Sequence, residues 1–218
     1  MSIRHLIHHR SVHNKGMTFV ELMIALIITA ILLAAITAMA DALGTLNESS
    51  DDRLQTQSEV RYAVLRLTDL IKHANLICSV DDVNNISVWR SDINGDGAIN
   101  APELVYVERF NGGLRIVEFT TNDAAIMAQV IPLASIQNGS TRDALTASCT
   151  ERLTSLISQC NNISFQLDVA PPWSNLASIS FVLSEGTETY QCEVKASLRG
   201  RADDWLDDFG NVTNIEYD

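Results

Sequence analysis

The most apolar stretch of the sequence, residues 22–40, lacks charge altogether. It contains no Asp, Glu, Lys or Arg. Basic residues are also scarce, with 15 Lys and Arg against 27 Asp and Glu and a net charge of −12. This shortage of positive charge, without any basic and aromatic patch, argues against a nucleic-acid partner, whose phosphates the chain would repel. Nucleophile-elbow, HExxH and phosphate-loop motifs are absent as well, so the sequence indicates no enzymatic activity.

The uncharged run is long enough to cross a membrane. Its 19 residues cover about 28 Å at 1.5 Å per residue, close to the thickness of the hydrocarbon core. Three basic residues and no acidic residue precede Glu21, so the positive-inside rule keeps the N-terminus cytoplasmic and predicts export of everything after Ala40. Glu21 stands at the entrance of the run, where a carboxylate costs roughly 2 to 4 kcal/mol and is functional by default.

The stretch KGMTFVEL, residues 15–22, resembles the N-terminal signature of type IV pilin-like proteins. The resemblance implies a basic leader, residues 1–16, which a prepilin peptidase removes after Gly16 before the new N-terminus, Met17, is methylated. Met17 differs from the more usual phenylalanine. Glu21 then stands fifth in the mature chain, as the family's glutamate does. By the same resemblance its carboxylate meets the amine of Met17 on a neighbouring subunit during assembly.

Two other interpretations of this segment stay open. Glu21 lies near the start of the helix, where it can extend to the lipid headgroups and simply complement the helix dipole. The segment also resembles a secretory signal peptide, with Ala38 and Ala40 as an A-x-A cleavage site before Asp41. Against that, the apolar run is longer than the ~7 to 15 residues usual for such signals.

Apolar periodicity predicts that the helix continues beyond the membrane. In EVRYAVLRLTDLIKHANLI the apolar residues recur at spacings of three and four, which gives one helix face: Val60, Val64, Leu67, Ile71 and Ala74. The first helix is therefore predicted to have a transmembrane half, residues 17–44, and an amphipathic half, residues 45–78.

Residues 79–200 form a β-rich head by their pattern, since apolar residues there alternate in ISVWR, ELVYVERF, GLRIVEF, ISFQLD, ASISFVLSE and YQCEVKASLR. Asn111-Gly112-Gly113 and Glu185-Gly186 mark turns between such runs. The predicted fold is α+β, with the amphipathic half of the first helix packed against an antiparallel sheet. This order of elements resembles the J-type pseudopilins of type II secretion and related minor pilins.

Two segments follow a different pattern. RDALTASCTERLTSLIS, residues 142–158, has Leu145, Leu153 and Leu156 at helical spacings, which predicts one or two helices after a loop at QNGST. Residues 201–218 form an acidic tail around Trp205 and Phe209. A solvated tail is expected, and contact between its aromatic residues and a partner is the alternative.

All four cysteines lie in the part predicted to be exported, and none forms a CxxC pair: Cys78, Cys149, Cys160 and Cys192. Two disulfides are therefore predicted, with the pairing left open and free buried cysteines as the alternative. Cys149 and Cys160 can pair only if no single helix joins them. Along one helix they would lie about 16 Å apart, beyond the ~7 Å limit between Cα atoms.

The stretch DINGDGAINAPE, residues 92–103, matches the EF-hand loop at every specified position: Asp92, Asn94, Asp96, Gly97 and Glu103. Calcium prefers six to eight oxygen ligands, and the pattern predicts the side chains of Asp92, Asn94, Asp96, Asn100 and Glu103 with the carbonyl of Ala98. The flanks look like strands rather than helices, so weak binding, ~0.1 to 1 mM, is expected. A plain turn joining two strands is the alternative.

These features predict a minor pilin or pseudopilin, a structural subunit rather than an enzyme. Its expected location is the bacterial inner membrane, crossed once, with the head exported to the periplasm or cell surface before assembly into a pilus or pseudopilus. Its expected partners are the prepilin peptidase and other pilin or pseudopilin subunits. The alternative is a secreted or membrane-tethered calcium-binding domain that joins no fibre.

Overall fold

The computed structural model describes residues 16–81, 84–185 and 188–213, and of residues 45–53, 185 and 188 it describes the backbone alone. The chain divides into two compact units, Met1–Asp52 and Arg53–Asp218. Helix α1, Phe19–Lys72, begins in the first unit and ends in the second.

The second unit contains the predicted apolar face of α1. Leu67, Ile71 and Ala74 are buried in its core, and Val60 and Val64 pack against that core as partly buried residues. Fully burying side chains of this size stabilises the folded state by about 1.5 to 3 kcal/mol each relative to exposure. The amphipathic packing predicted for this part of α1 is therefore confirmed.

The helix ends earlier than the predicted boundary at residue 78. It stops at Lys72, and strand β1 already begins at Leu76. The reason is strand pairing, because the N–H of Asn75 donates to the carbonyl of Trp89 at 2.8 Å and Leu76 then pairs with Trp89 in register. Sheet hydrogen bonds replace the last predicted turn of the helix.

The strands are antiparallel, as the alternating pattern predicts, but they form two sheets where one was expected. The first sheet is a five-stranded meander in chain order: β1 Leu76–Asp81, β2 Asn85–Trp89, β3 Leu104–Phe110, β4 Gly113–Thr120 and β5 Thr150–Ile157. The second has three strands, also in chain order: β6 Asn161–Leu167, β7 Leu176–Glu185 and β8 Glu188–Ser197. Together they confirm the predicted α+β fold class.

The predicted turn between β3 and β4 is confirmed. Phe110 pairs with Gly113, which leaves a two-residue hairpin loop. The loop residues Asn111 and Gly112 have φ angles of 49° and 76°. Two positive φ angles define the hairpin turn that Asn-Gly sequences favour. Gly186, in the other predicted turn, lies outside the described residues.

The prediction of helices throughout residues 142–158 is wrong in its second half. Three short helices precede β5: α2 Ala124–Met127, α3 Leu133–Gln137 and α4 Ser140–Ser148. Leu145 is buried on α4, but Leu153 and Leu156 lie on β5, which pairs with β4. Residues 150–157 form hydrogen bonds with the edge of β4. This long-range strand pairing determines their structure, although the spacing of the leucines also fits a helix.

Up to residue 213, most apolar side chains of the acidic tail pack against the rest of the second unit, although a solvated tail was expected. Ala202 is buried in a short 3-10 helix, Ala202–Trp205. The ring of Trp205 packs edge-on against Trp89, with the two centroids 5.0 Å apart. Asp203, Asp204 and Asp208 match the expectation of exposure, as does Phe209 with 90% of its surface accessible. Glu216 and Asp218 lie outside the described residues.

The predicted disulfides are not formed, since all four cysteines are free thiols: Cys78, Cys149, Cys160 and Cys192. The predicted helix does break between Cys149 and Cys160, yet the 8 residues of β5 still separate them. At about 3.3 Å per residue, that strand spans roughly 26 Å, far beyond the reach of a disulfide. Cys78 lies fully buried in the core on β1, and Cys192 lies on β8 of the other sheet.

We therefore expect four thiols per chain when the full-length protein is denatured without reductant and titrated with a disulfide reagent. In the folded protein, burial raises the pKa of Cys78 to about 12 and that of Cys160 to about 11. Because the thiolate is the reactive form, both should react slowly at pH 8. The reduced protein is the control. A thiol count that rises after reduction would show disulfides and contradict the structure.

Candidate functional site

The loop of residues 92–103 joins β2 to β3 in the five-stranded sheet. The register pairs Trp89 with Leu104, so the loop leaves and re-enters the sheet at one place. The N–H of Arg90 donates to the carbonyl of Glu103 at 2.9 Å and closes the neck of the loop. The strand flanks predicted from the sequence are thus present.

Asp92 organises the first half of this loop. Its Oδ1 accepts hydrogen bonds from the N–H groups of Gly95 at 2.7 Å and Asp96 at 3.2 Å, and its Oδ2 accepts one from Gly97 at 2.9 Å. Gly97 has a φ of 68°, a left-handed conformation that glycine adopts without strain. Both Asp92 oxygens therefore point into the loop.

Three other predicted ligands meet at one amide group. The Nδ2 of Asn94 donates to Asp96 Oδ2 at 2.8 Å and to Asn100 Oδ1 at 3.0 Å. Asp96 Oδ1 accepts the N–H of Ala98 at 2.8 Å, so the Ala98 position is tied to the same cluster. The Asn94 amino group thus lies between two oxygens from opposite halves of the loop.

Glu103 ends the loop as a buried carboxylate, 1% exposed. Its Oε1 accepts the N–H of Ile93 at 2.6 Å, and its Oε2 accepts the N–H of Asn100 at 3.3 Å and the indole Nε1–H of Trp89 at 3.0 Å. Arg90, whose N–H donates to the Glu103 carbonyl, pairs its side chain with Glu118 instead. Within the described part of the chain, no cationic side chain forms an ion pair with Glu103.

A cavity of about 280 Å³ lies beside the loop. Its walls include Asn94, Asn100 and Glu103 from the loop and Ala124 and Met127 from α2. Asn94, Asn100 and Glu103 are the predicted ligands that border this space, whereas Asp92, Asp96 and Ala98 do not, and the rest of the lining is apolar. In residues 16–81, 84–185 and 188–213, however, no three or more His, Cys, Asp or Glu side chains are grouped as a set of metal ligands.

The start of α1 carries a second predicted site, built as a capping box. The N–H and the hydroxyl of Thr18 both donate to Glu21 Oε2, at 2.9 and 3.1 Å, and the N–H of Glu21 donates back to Thr18 Oγ1 at 3.3 Å. Two backbone donors that a helix start leaves unpaired are thereby bound. Gly16 and Met17 precede the helix and are exposed.

The helix segment that follows is apolar on every face. Phe19–Gly44, 26 residues, is long and apolar enough by length and composition to cross a membrane. Every side chain in it is exposed. The hydroxyls of Thr29 and Thr37 donate to the carbonyls four residues earlier, at 2.7 and 2.9 Å, so both are hydrogen-bonded within the helix. Such internal bonding is what a lipid environment requires.

A comparison with protein families matches residues 12–37 to the prokaryotic N-terminal methylation motif. The chain carries a type IV pilin-like signature. Comparisons with curated proteins and with solved structures found no match for the chain. The pilin-like signature implies processing by a prepilin peptidase and assembly with other pilin subunits, and with the apolar helix it fits a membrane-anchored protein.

The residues expected to act in the pilin-like signature lie together at the helix start. Gly16, Met17 and Glu21 fall within one turn of the beginning of α1 and within the matched motif. Both hydrogen bonds that reach the Glu21 carboxylate end on Oε2. Its Oε1 accepts none from the described residues, so one oxygen remains for a second donor.

Two contributors escaped prediction from the sequence. Thr18 has a readable signal, because Thr18 and Glu21 show the T-x-x-E spacing of a capping box. Trp89 has no such signal in the sequence, because its hydrogen bond to Glu103 spans 14 residues and depends on the register of two strands.

Proposed function

We propose that the chain is a minor pilin or pseudopilin, a structural subunit of a type IV pilus or of a type II secretion pseudopilus, most similar to the J-type. One observation carries the proposal. The methylation motif coincides with a helix that is apolar on all faces and begins with a hydrogen-bonded glutamate. The element order, a long helix followed by antiparallel strands, supports it.

The proposed location is the inner membrane, with the unit Arg53–Asp218 on the outer side. Arg4, Arg10 and Lys15 precede the span without any acidic residue, and such basic flanks stay in the cytoplasm. These three residues lie outside the described part of the chain. The unit beyond the span contains both sheets and the loop of residues 92–103.

Assembly would follow from the charges at the helix start. Cleavage after Gly16 creates a free amine on Met17, while Glu21 keeps a carboxylate that costs roughly 2 to 4 kcal/mol in a bilayer. An ion pair between Glu21 of one subunit and Met17 of another offsets both costs and fixes their relative position. The bonds from Thr18 hold the Glu21 carboxylate at the end of the helix, where a neighbour can reach it.

The first test replaces Glu21 with alanine in cells that contain the assembly machinery. Glu21→Ala should still be inserted and cut, yet its amount in isolated fibres or pseudopilin complexes should fall at least about tenfold, matching the loss of ~1.4 kcal/mol or more. Immunoblotting of the membrane and fibre fractions measures both quantities.

Two control variants separate assembly from helix capping and from charge in general. Thr18→Val removes the capping hydroxyl and keeps the Glu21 carboxylate, whereas Asp41→Ala removes a carboxylate from the far end of the same segment. Asp41→Ala should enter fibres like the wild type, and Thr18→Val, which keeps the backbone N–H bond to Glu21, should lose much less incorporation than Glu21→Ala. Incorporation of Glu21→Ala at the wild-type level would refute the intersubunit ion pair.

We also propose that residues 92–103 bind one calcium ion. A buried carboxylate without a counter-ion is costly by several kcal/mol, and Glu103 is one among the described residues. A divalent cation beside it offsets that cost. The adjoining cavity of about 280 Å³ offers space for the ion next to Asn94, Asn100 and Glu103.

The oxygens of the loop suit such an ion after one local change. A half-turn of the Asn94 amide would place its Oδ1 where Nδ2 now meets Asp96 and Asn100. It would break the bond that the N–H of Asp96 donates to Oδ1 at 3.1 Å, which ion binding has to offset. Asn94, Asp96 and Asn100 would then each offer an oxygen, and one oxygen from Asp92, the Ala98 carbonyl and two from Glu103 would bring the set within the six to eight that calcium prefers. Three carboxylates and no paired EF-hand fit weak affinity, ~0.1 to 1 mM. The ion would stabilise the loop between its strands.

Calcium should therefore raise the melting temperature of the full-length protein in detergent. With a Kd of about 0.5 mM, 10 mM calcium stabilises by about 1.8 kcal/mol, or roughly 4 to 7 °C. Magnesium should do much less, because it demands strict octahedral geometry and gives up its water reluctantly. Asp92→Asn should abolish the calcium shift, as differential scanning fluorimetry can measure.

The matched control is Asp123→Asn. Asp123 also accepts a backbone N–H, that of Ala125 at 2.9 Å, but it lies outside the loop. This variant should keep the full calcium shift. No shift in the wild type, together with no heat in a calcium titration, would leave residues 92–103 a plain turn.

A further inference from the structure

We infer that Trp89 is the positioning residue for Glu103 in the loop of residues 92–103 and that its indole N–H sets the calcium affinity. The inference rests on the proposed calcium binding. It concerns a residue outside the EF-hand pattern, three positions before the first predicted ligand, Asp92.

The donors to Glu103 come from two different parts of the chain. Ile93 and Asn100 donate their backbone N–H groups, and both belong to the loop itself. Trp89 donates from strand β2, outside the loop. Of these three donors, Trp89 alone ties the carboxylate to the sheet, so it fixes Glu103 when the loop moves.

Trp89 is itself held rigidly. It is fully buried, and it occupies a paired position in the middle of three strands, between Leu76 and Leu104. On its ring lies Trp205, edge-on at 5.0 Å and 74°. The carbonyl of Trp205 accepts the N–H of Thr213 at 3.0 Å, which secures the segment that carries it. The indole therefore has little freedom to turn away from Glu103.

A fixed carboxylate binds metal better than a mobile one. Groups that hydrogen-bond to metal ligands orient them, and their loss typically costs about 10- to 100-fold in metal affinity. Glu103 is the residue expected to give calcium two oxygens, so its orientation matters most. Trp89 thus connects the ion site to the sheet and, through Trp205, to the C-terminal segment.

The test measures calcium affinity of the full-length protein in detergent by isothermal titration. Trp89→Phe keeps an aromatic ring in the core but removes the N–H, and its affinity should fall about tenfold or more. Trp205→Phe is the matched control, because it removes the other indole of the pair, keeps an aromatic ring packed against Trp89 and leaves the bond from Trp89 to Glu103 intact. Its affinity should stay within about twofold of the wild type.

A spectroscopic measurement on the wild type needs no variant to fold. The chain has 3 tryptophans, so its indole N–H groups give few NMR signals, which can be assigned in the wild type itself. Calcium should shift the Trp89 signal most, because that proton lies on a calcium ligand. The signals of Trp173 and Trp205 should move less.

The outcomes separate the two proposals. If the wild type binds calcium but Trp89→Phe binds equally well, or if the Trp89 signal does not move, the positioning role is refuted and the calcium site stands. If Trp89→Phe and Trp205→Phe lose calcium affinity equally, the loss comes from altered core packing, and the positioning role of Trp89 is refuted as well. If the wild type binds no calcium, the proposed calcium function itself fails.

Discussion

The burial of one face of α1 supports the rest of the second unit. Ala63, Leu67 and Ile71 lie at helical spacing and are almost completely buried in a core that both sheets share. Burial of Leu67 and Ile71 stabilises the fold by about 1.5 to 3 kcal/mol each, and that of the smaller Ala63 by less. In the first half of the same helix, Phe19–Gly44, the apolar side chains are exposed on every face. One helix thus serves two surroundings, a protein core and, by its composition, a lipid bilayer.

Carboxylates without a cationic partner distinguish both candidate sites. Glu21 and Glu103 each accept hydrogen bonds from N–H groups within their own chain, and neither forms an ion pair with a described residue. Hydrogen bonds fix their orientation but leave the charge in place. Both proposals therefore supply a positive group from outside the chain, an amine in one and a metal ion in the other.

Sequence reasoning succeeded where local pattern and tertiary structure agree. The sequence of strand β3 alternates, and Asn111-Gly112, which follows it, has the positive φ angles of a tight hairpin turn, so the local pattern and the fold agree. Strand β5 was missed because Leu153 and Leu156 also fit helical spacing, and only the edge of β4 decides between the two. Docking of Trp205 on Trp89 leaves no trace in the local sequence. For the sites, the pattern located Glu103, whereas its burial and its bond from Trp89 required the fold.

The mature N-terminus tests the central claim most directly. The intact mass of the chain should be measured after purification from cells that contain a prepilin peptidase. The pilin-like account predicts a chain that begins at Met17 and carries one added methyl group. A chain that begins at Asp41 would indicate a cleaved signal peptide, and a chain that still begins at Met1 would indicate a simple membrane tether. Either result would contradict assembly as a pilin or pseudopilin.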